Sequence, residues 1–288
     1  MSNFVNDQLS DQERVQLAKL EYQQFFSQQS IVLPNGRFLG KVWQLAPAGL
    51  RACAIVDSLA DPREVTVLYR GSTMMPVDPD VWTHEWLDTN LPIGRALMSH
   101  QHYVPAQLRR AGRWLMKLLA AAPRAQFYLY GHSLGSMNAQ YAAIACRHPG
   151  RIGNAWLYEG SNVYQLLNDE ERSWAVQLKG QLHQYIDPLD SLAIGYTDFQ
   201  HVIGQLHYVD SVFKPRILQH MWGGYRYDDQ GRLRLLMPDD PLVQASQALT
   251  KGILSDRREW LPTDDSQVII SLRQLMAKAA AWRKSLEN

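Results

Sequence analysis

The chain has 288 residues, 46% of them hydrophobic, with 29 basic and 28 acidic side chains and a net charge of +1. A chain of this length buries a large core without staples, and so even a charge balance argues against a nucleic-acid binder, whose affinity rests on a concentrated basic face. The only cysteines, Cys53 and Cys146, form neither a disulfide framework nor a zinc spacing; in apolar surroundings both read as small buried hydrophobes. The start, "MSNFVNDQLSDQERV", lacks the basic and apolar regions of a signal peptide. The most apolar window, "WLMKLLAAAP" from Trp114, is too short to span a bilayer and contains Lys117. A soluble, cytoplasmic protein is the expectation.

In chain order, Leu9 to Gln29 carries a broad apolar face at helical spacing through Val15, Leu17, Ala18, Leu20, Tyr22, Phe25 and Phe26. "LPNG" from Leu33 signals a turn. Two strand-like runs follow, "ACAIVDSL" from Ala52 and "EVTVLYRGS" from Glu64, with "DPRE" between them as a hairpin turn. Val104 to Ala122 is helical in period and stops before Pro123. "AQFYLYGHS" reads as a strand and Leu134 to Arg147 as a helix; "NAWLYEGS" and Val163 to Gln177 repeat that order. "GQLHQYID" and "GQLHYVD" are two more strands, and "GYRYDDQGRLRLL" is a hairpin. A striped helix from Thr263 to Leu286 opens on the capping residues "TDDS". No repeat or low-complexity linker divides the chain, so one domain over residues 1–288 is expected. The alternation of β and α units predicts an α/β fold, a mainly parallel sheet with helices on its faces.

One junction carries chemistry. In Gly131-His132-Ser133-Leu134-Gly135 a buried run turns around a serine and enters a helix of small residues. This is the setting of a nucleophile elbow. Glycines remove the side chains that collide across the turn. The helix N-terminus aims free N–H groups at the serine, and the N–H of Leu134 is the natural first oxyanion donor. His132 adjoins the serine, but neighbouring side chains diverge at such a turn; it reads as a packing or hydrogen-bonding residue. No His-Glu-x-x-His, Cys/His cluster, P-loop or Gly-x-Gly-x-x-Gly is present, so neither metal nor cofactor is expected.

Taken with "YRGS" at the end of an earlier strand and "YIDPLD" later, Gly-His-Ser-Leu-Gly resembles the class 3 (fungal-type) lipase branch of the α/β-hydrolases. The likeness spans roughly Glu64 to Gly224 and leaves the first fifty and last sixty residues unexplained. It implies an α/β-hydrolase fold and an ester hydrolase. It also implies that Ser72, in Tyr69-Arg70-Gly71-Ser72, supplies the second oxyanion donor. Trp86-Leu87-Asp88 would match a Trp-x-x-Asp-like segment of the branch.

A serine nucleophile needs a histidine base oriented by a carboxylate. In α/β-hydrolases these follow the serine in the order acid, then histidine. Asp187 ends "HQYID", where Pro188 stops the strand, and better fits the Asp-x-Val/Leu pattern of the branch; Asp190 is the competitor. Of His201, His207 and His220, the first two lie before or within a strand. His220 lies in a glycine-flanked loop beyond it, and is the preferred base.

Between Ser72 and Val104 runs a segment rich in Met, Trp and Pro. The resemblance places a lid here, at residues 73–103. Met74, Trp82 and Trp86, with Met75, Val77 and Leu87, are candidates to line or cover an acyl pocket; an irregular piece of core is the competing reading. The expected substrate is an acylglycerol or other lipid ester, with transient contact at a lipid interface. Thioester cleavage or acyl transfer by the same triad is the alternative, and a non-catalytic lipid-binding relative is a third reading. No oligomeric state is implied.

Overall fold

A computed structural model describes residues 4–72, 103–190, 196, 201–214 and 217–255. Nine strands lie side by side in chain order: β1 (Ser30–Val32), β2 (Phe38–Leu45), β3 (Ala52–Val56), β4 (Glu64–Tyr69), β5 (Gln126–His132), β6 (Ile152–Tyr158), β7 (Leu182–Ile186), β8 (Gln205–Val209) and β9 (Leu235–Leu236). Strands β4 to β8 run parallel and form the middle of the sheet. Antiparallel strands flank them, β1 to β3 at one edge and β9 at the other.

Side-chain alternation along the central strands divides the core in two. Val65, Val67, Tyr69, Phe127, Leu129, Ala155 and Leu157 face one way. Against them pack α3 (Ala106–Ala121), α4 (Leu134–Ala145) and α5 (Asp169–Gln177), the links between successive parallel strands. Leu68, Tyr128, Tyr130, Trp156 and Tyr158 face the other way, against Val15, Leu17 and Ala18 of α2 (Asp11–Lys19). A strand covered on both faces has no polar side to show, hence the unbroken "FYLY". Helix α3 carries the complementary pattern: Leu108, Ala111, Leu115, Leu118 and Leu119 are buried, while Arg109, Arg110, Arg113 and Lys117 face solvent.

Two helices are shorter than the sequence pattern predicts, and in each case a cap sets the start. Ser10 and Glu13 form a reciprocal capping box that opens α2, which ends at Lys19 and passes into a 3₁₀ turn, Leu20–Tyr22. Asn168 and Glu171 do the same for α5, leaving Tyr164–Leu166 as a separate 3₁₀ turn. Each box satisfies backbone N–H groups that the first turn otherwise leaves open, worth about 1 kcal/mol. "LPNG" does turn the chain, with Gly36 at φ 84°, but it joins β1 to β2, a hairpin not expected from the pattern. Before α2 lies a short turn of helix, α1 (Val5–Gln8), and among the described residues two further helices follow β8: α6 (Ile217–His220) and α7 (Pro241–Ser255). The helix expected from Thr263 to Leu286 lies outside the described residues. Among the described residues no helix is long and apolar enough to cross a membrane.

Candidate active site

Strand β5 ends at His132 and α4 begins at Leu134, so the whole reversal falls on Ser133. Its backbone sits at φ 55° and ψ −123°, a region that costs an L-residue roughly 1–3 kcal/mol. Its N–H donates to the Tyr158 carbonyl at 2.9 Å, pinning the turn to β6. The glycines of the motif follow from contact distances. A Cβ on Gly131 would lie 2.4 Å from the backbone of Gly135, and one on Gly135 only 1.9 Å from the Tyr69 carbonyl oxygen. The same approach sets α4 against the end of β4. Tyr69 pairs with Gly131 in register. Beyond it, Gly71 comes so close to His132 that an added Cβ would stand 2.7 Å from the His132 carbonyl oxygen. Ser72, one residue on, is buried beside the elbow. Leu134, at the first position of α4, is also buried; first-turn N–H groups have no partner within their own helix.

His220 closes α6 and is buried. Its Nδ1 lies 2.6 Å from Asp190 Oδ2, which makes Nδ1 the protonated nitrogen. Its Nε2 is buried without a hydrogen-bond partner among the described residues, the arrangement a general base needs. The ring stands 4.6 Å from that of His132, the residue before the serine.

The expected pairing of Asp187 with His220 is therefore corrected: the carboxylate on His220 is Asp190. Asp187 is committed elsewhere. It accepts from the Leu189 N–H at 2.8 Å, from the Ser211 hydroxyl at 2.7 Å and from the Gln219 side-chain amide. With the Asp190 N–H donating to the Asp187 carbonyl at 2.9 Å, these bonds close a turn around Pro188. That turn keeps Asp187 on the strand end and carries the second carboxylate round to the histidine. Burial pushes the Asp187 carboxyl up to about 6, against the pull of its Gln219, Ser211 and Leu189 hydrogen bonds, and the Asp190 charge adds to the rise.

Several groups at the site carry no sequence motif. Glu159, at φ 49° after β6, accepts from the Asp187 N–H at 3.1 Å and from the Tyr225 hydroxyl. Burial, and then the Asp190 and Asp187 charges, hold its carboxyl well above the ordinary range. Glu21, fully buried behind β4, is raised by burial and accepts from the Gly71 N–H at 3.2 Å. The one available signal for Glu159 was its place at the carboxyl end of a parallel strand, where α/β sheets put their ligands. For Glu21 there was none, since Leu9 to Gln29 was read from its apolar face alone.

The other histidines lie apart. His207 Nε2 is 3.3 Å from His183 Nδ1 and its ring stacks on Tyr185. His201 sits against Tyr164. Met74, Trp82 and Trp86, with the rest of the expected lid except Tyr103, fall outside the described residues. Among the described residues no group of three or more His, Cys, Asp or Glu side chains is placed to share a metal ion.

Neither a protein-family model nor a curated protein matches the sequence. Solved structures do match. A mutant form of MDLA from Penicillium cyclopium is 13% identical, with 85% of this chain and 92% of that chain covered and a TM-score of 0.48. The Lip2 lipase from Yarrowia lipolytica is 14% identical over 73% of this chain and 80% of that chain, with a TM-score of 0.41. A triacylglycerol lipase whose catalytic centre is formed by a serine protease triad is 10% identical over 69% and 72%, with a TM-score of 0.30. The parallel middle of the sheet, its two covered faces and the strand–elbow–helix at Ser133 make this an α/β fold.

Proposed function

We propose that the protein is a serine hydrolase of carboxylic esters, acting on acylglycerols or other lipid esters. The observation that carries this reading is the strained Ser133 elbow beside a buried His220–Asp190 pair. Ser133 Oγ attacks the ester carbonyl while His220 Nε2 takes its proton. Asp190 holds the imidazole in the tautomer that leaves Nε2 free and stabilises the imidazolium that forms. The N–H groups of Leu134 and Ser72 receive the oxyanion, each donor worth ~100- to 1000-fold in rate. Collapse expels the alcohol, which takes the proton from His220, and water then repeats the sequence on the acyl-enzyme. The lipid part of the reading draws on the lipases of similar fold and on the apolar segment 73–103, with Met74, Trp82 and Trp86 as its acyl contacts.

Purified protein assayed on p-nitrophenyl esters from acetate to palmitate tests this. Ser133→Ala is expected to lower turnover by at least ~1000-fold, with the optimum toward the longer chains. Wild-type turnover in that variant contradicts the mechanism. An optimum at acetate contradicts the lipid assignment alone.

A further inference from the structure

His132, passed over as a base, is the group that joins the two halves of the proposed machinery. It is fully buried, and its Nε2 lies 2.7 Å from the carbonyl oxygen of His220. A carbonyl only accepts, so Nε2 carries the proton. Nδ1 is then a lone pair, and it takes the hydroxyl of Tyr22 at 2.7 Å. The chain Tyr22 Oη–H to His132 Nδ1, then His132 Nε2–H to the His220 carbonyl, admits one tautomer when the imidazole is neutral. Burial, and next the neighbouring His220, favour that neutral form. Rings close the remaining sides: Trp222 lies 4.0 Å from the His132 ring, and Tyr22 meets it edge-on at 5.8 Å.

We propose that Tyr22 and His132 are positioning residues that set the distance between the base His220 and the nucleophile Ser133; this rests on the hydrolase reading above. His132 is one peptide bond from Ser133, and its side chain grips the main chain of His220. The base is thereby indexed to the nucleophile through one rigid ring and one hydrogen bond. The anchor comes from a segment that the sequence resemblance leaves unexplained. Tyr22 is held in the 3₁₀ turn after α2. Its neighbour Glu21 accepts from the Gly71 N–H at 3.2 Å. An added Cβ on Gly71 would lie 2.2 Å from Tyr22 Oη. One dipeptide thus braces the end of β4, where the Ser72 donor sits, the elbow, and through His132 the base.

The test is the rate at which a p-nitrophenyl alkylphosphonate modifies Ser133 in the full chain. In that reaction the Ser133 Oγ–P bond forms, p-nitrophenolate leaves and the serine proton passes to His220. His132→Gln places an amide N–H near the original Nε2–H, whereas His132→Asn places its amide nearer Nδ1. Labelling is expected to slow ~100-fold in His132→Asn and ~10-fold in Tyr22→Phe, and to stay within ~5-fold of wild type in His132→Gln. Thermal midpoints of each variant separate misfolding from mispositioning. If His132→Asn does not fold, Tyr22→Phe, which removes a single oxygen, decides. Wild-type rates in the folded variants overturn the proposal, as does equal slowing in His132→Gln and His132→Asn. Absence of Ser133 labelling in the wild-type protein instead overturns the hydrolase reading, and the positioning roles with it.

Discussion

A carboxylate orients a histidine base only if it is not already spent on other donors. Asp187 is spent: a hydroxyl, an amide and a backbone N–H converge on it, while Asp190 meets the His220 imidazole. Asp190→Asn is therefore expected to lower ester turnover by ~10,000-fold, because the amide presents a donor and favours the wrong tautomer. Asp187→Asn should stay within ~10-fold, as measured by kcat on the same ester. The same residue gives a stability prediction. Its folded carboxyl titrates at about 6 against an ordinary 3.8, so the native state holds that proton more tightly than the unfolded chain. This favourable contribution is complete below the ordinary value and is lost as pH rises through about 6. Between about pH 4 and pH 7 the wild type should lose on the order of 2–3 kcal/mol that Asp187→Asn does not, measured by urea unfolding. A parallel decline in both proteins contradicts it. The tight turn at Ser133 and the helix start at Leu134 were legible from sequence because Gly-x-Ser-x-Gly encodes a backbone path. The carboxylate that meets His220 was not, because Asp187 and Asp190 share the tetrad "DPLD" and only the closed turn decides which one faces the ring.

At the scale of elements, the parallel strands and the helices between them were legible because burial on both faces writes continuous apolar runs beside amphipathic ones. The boundaries were less so. Val163 to Gln177 looks helical throughout, yet Asn168 and Glu171 cap a helix inside it. Strand β2 was missed because its exposure pattern breaks alternation and Gly40 sits at φ 152°. Helix α4 packs closely on the end of β4 at Gly135. Gly135→Ala would drive a methyl group into the Tyr69 carbonyl at 1.9 Å. A clash with backbone has no flexible side chain to absorb it, so a loss of at least about 3 kcal/mol is expected in chemical denaturation. A near-neutral result would mean that α4 does not pack so close.

At the scale of the whole molecule, the N-terminal segment is built into the sheet. Asn6 and Val5 donate backbone N–H groups to the buried carboxylate of Glu64, and the Asn6 side chain bridges Glu64 and Thr66. Tyr130 donates to Asn6 and Tyr128 to Asp7 from the face opposite α3 and α4. Asn6→Ala takes the acceptor from the buried Tyr130 hydroxyl and the side-chain donor from Glu64 and Thr66, while the backbone N–H groups to Glu64 remain. It should lower the unfolding free energy by about 2–4 kcal/mol, and a change under about 0.5 kcal/mol would contradict that role. None of this network was legible in the sequence, since its partners lie 58 to 124 residues apart. Yet the same segment delivers Tyr22 to His132, so it serves the site as well as the core.

The most direct measurement is intact-mass and peptide analysis of the wild-type chain after exposure to a p-nitrophenyl alkylphosphonate. The account predicts one phosphonyl adduct, on Ser133, abolished in Ser133→Ala. An unmodified chain, or an adduct on another residue, would contradict it.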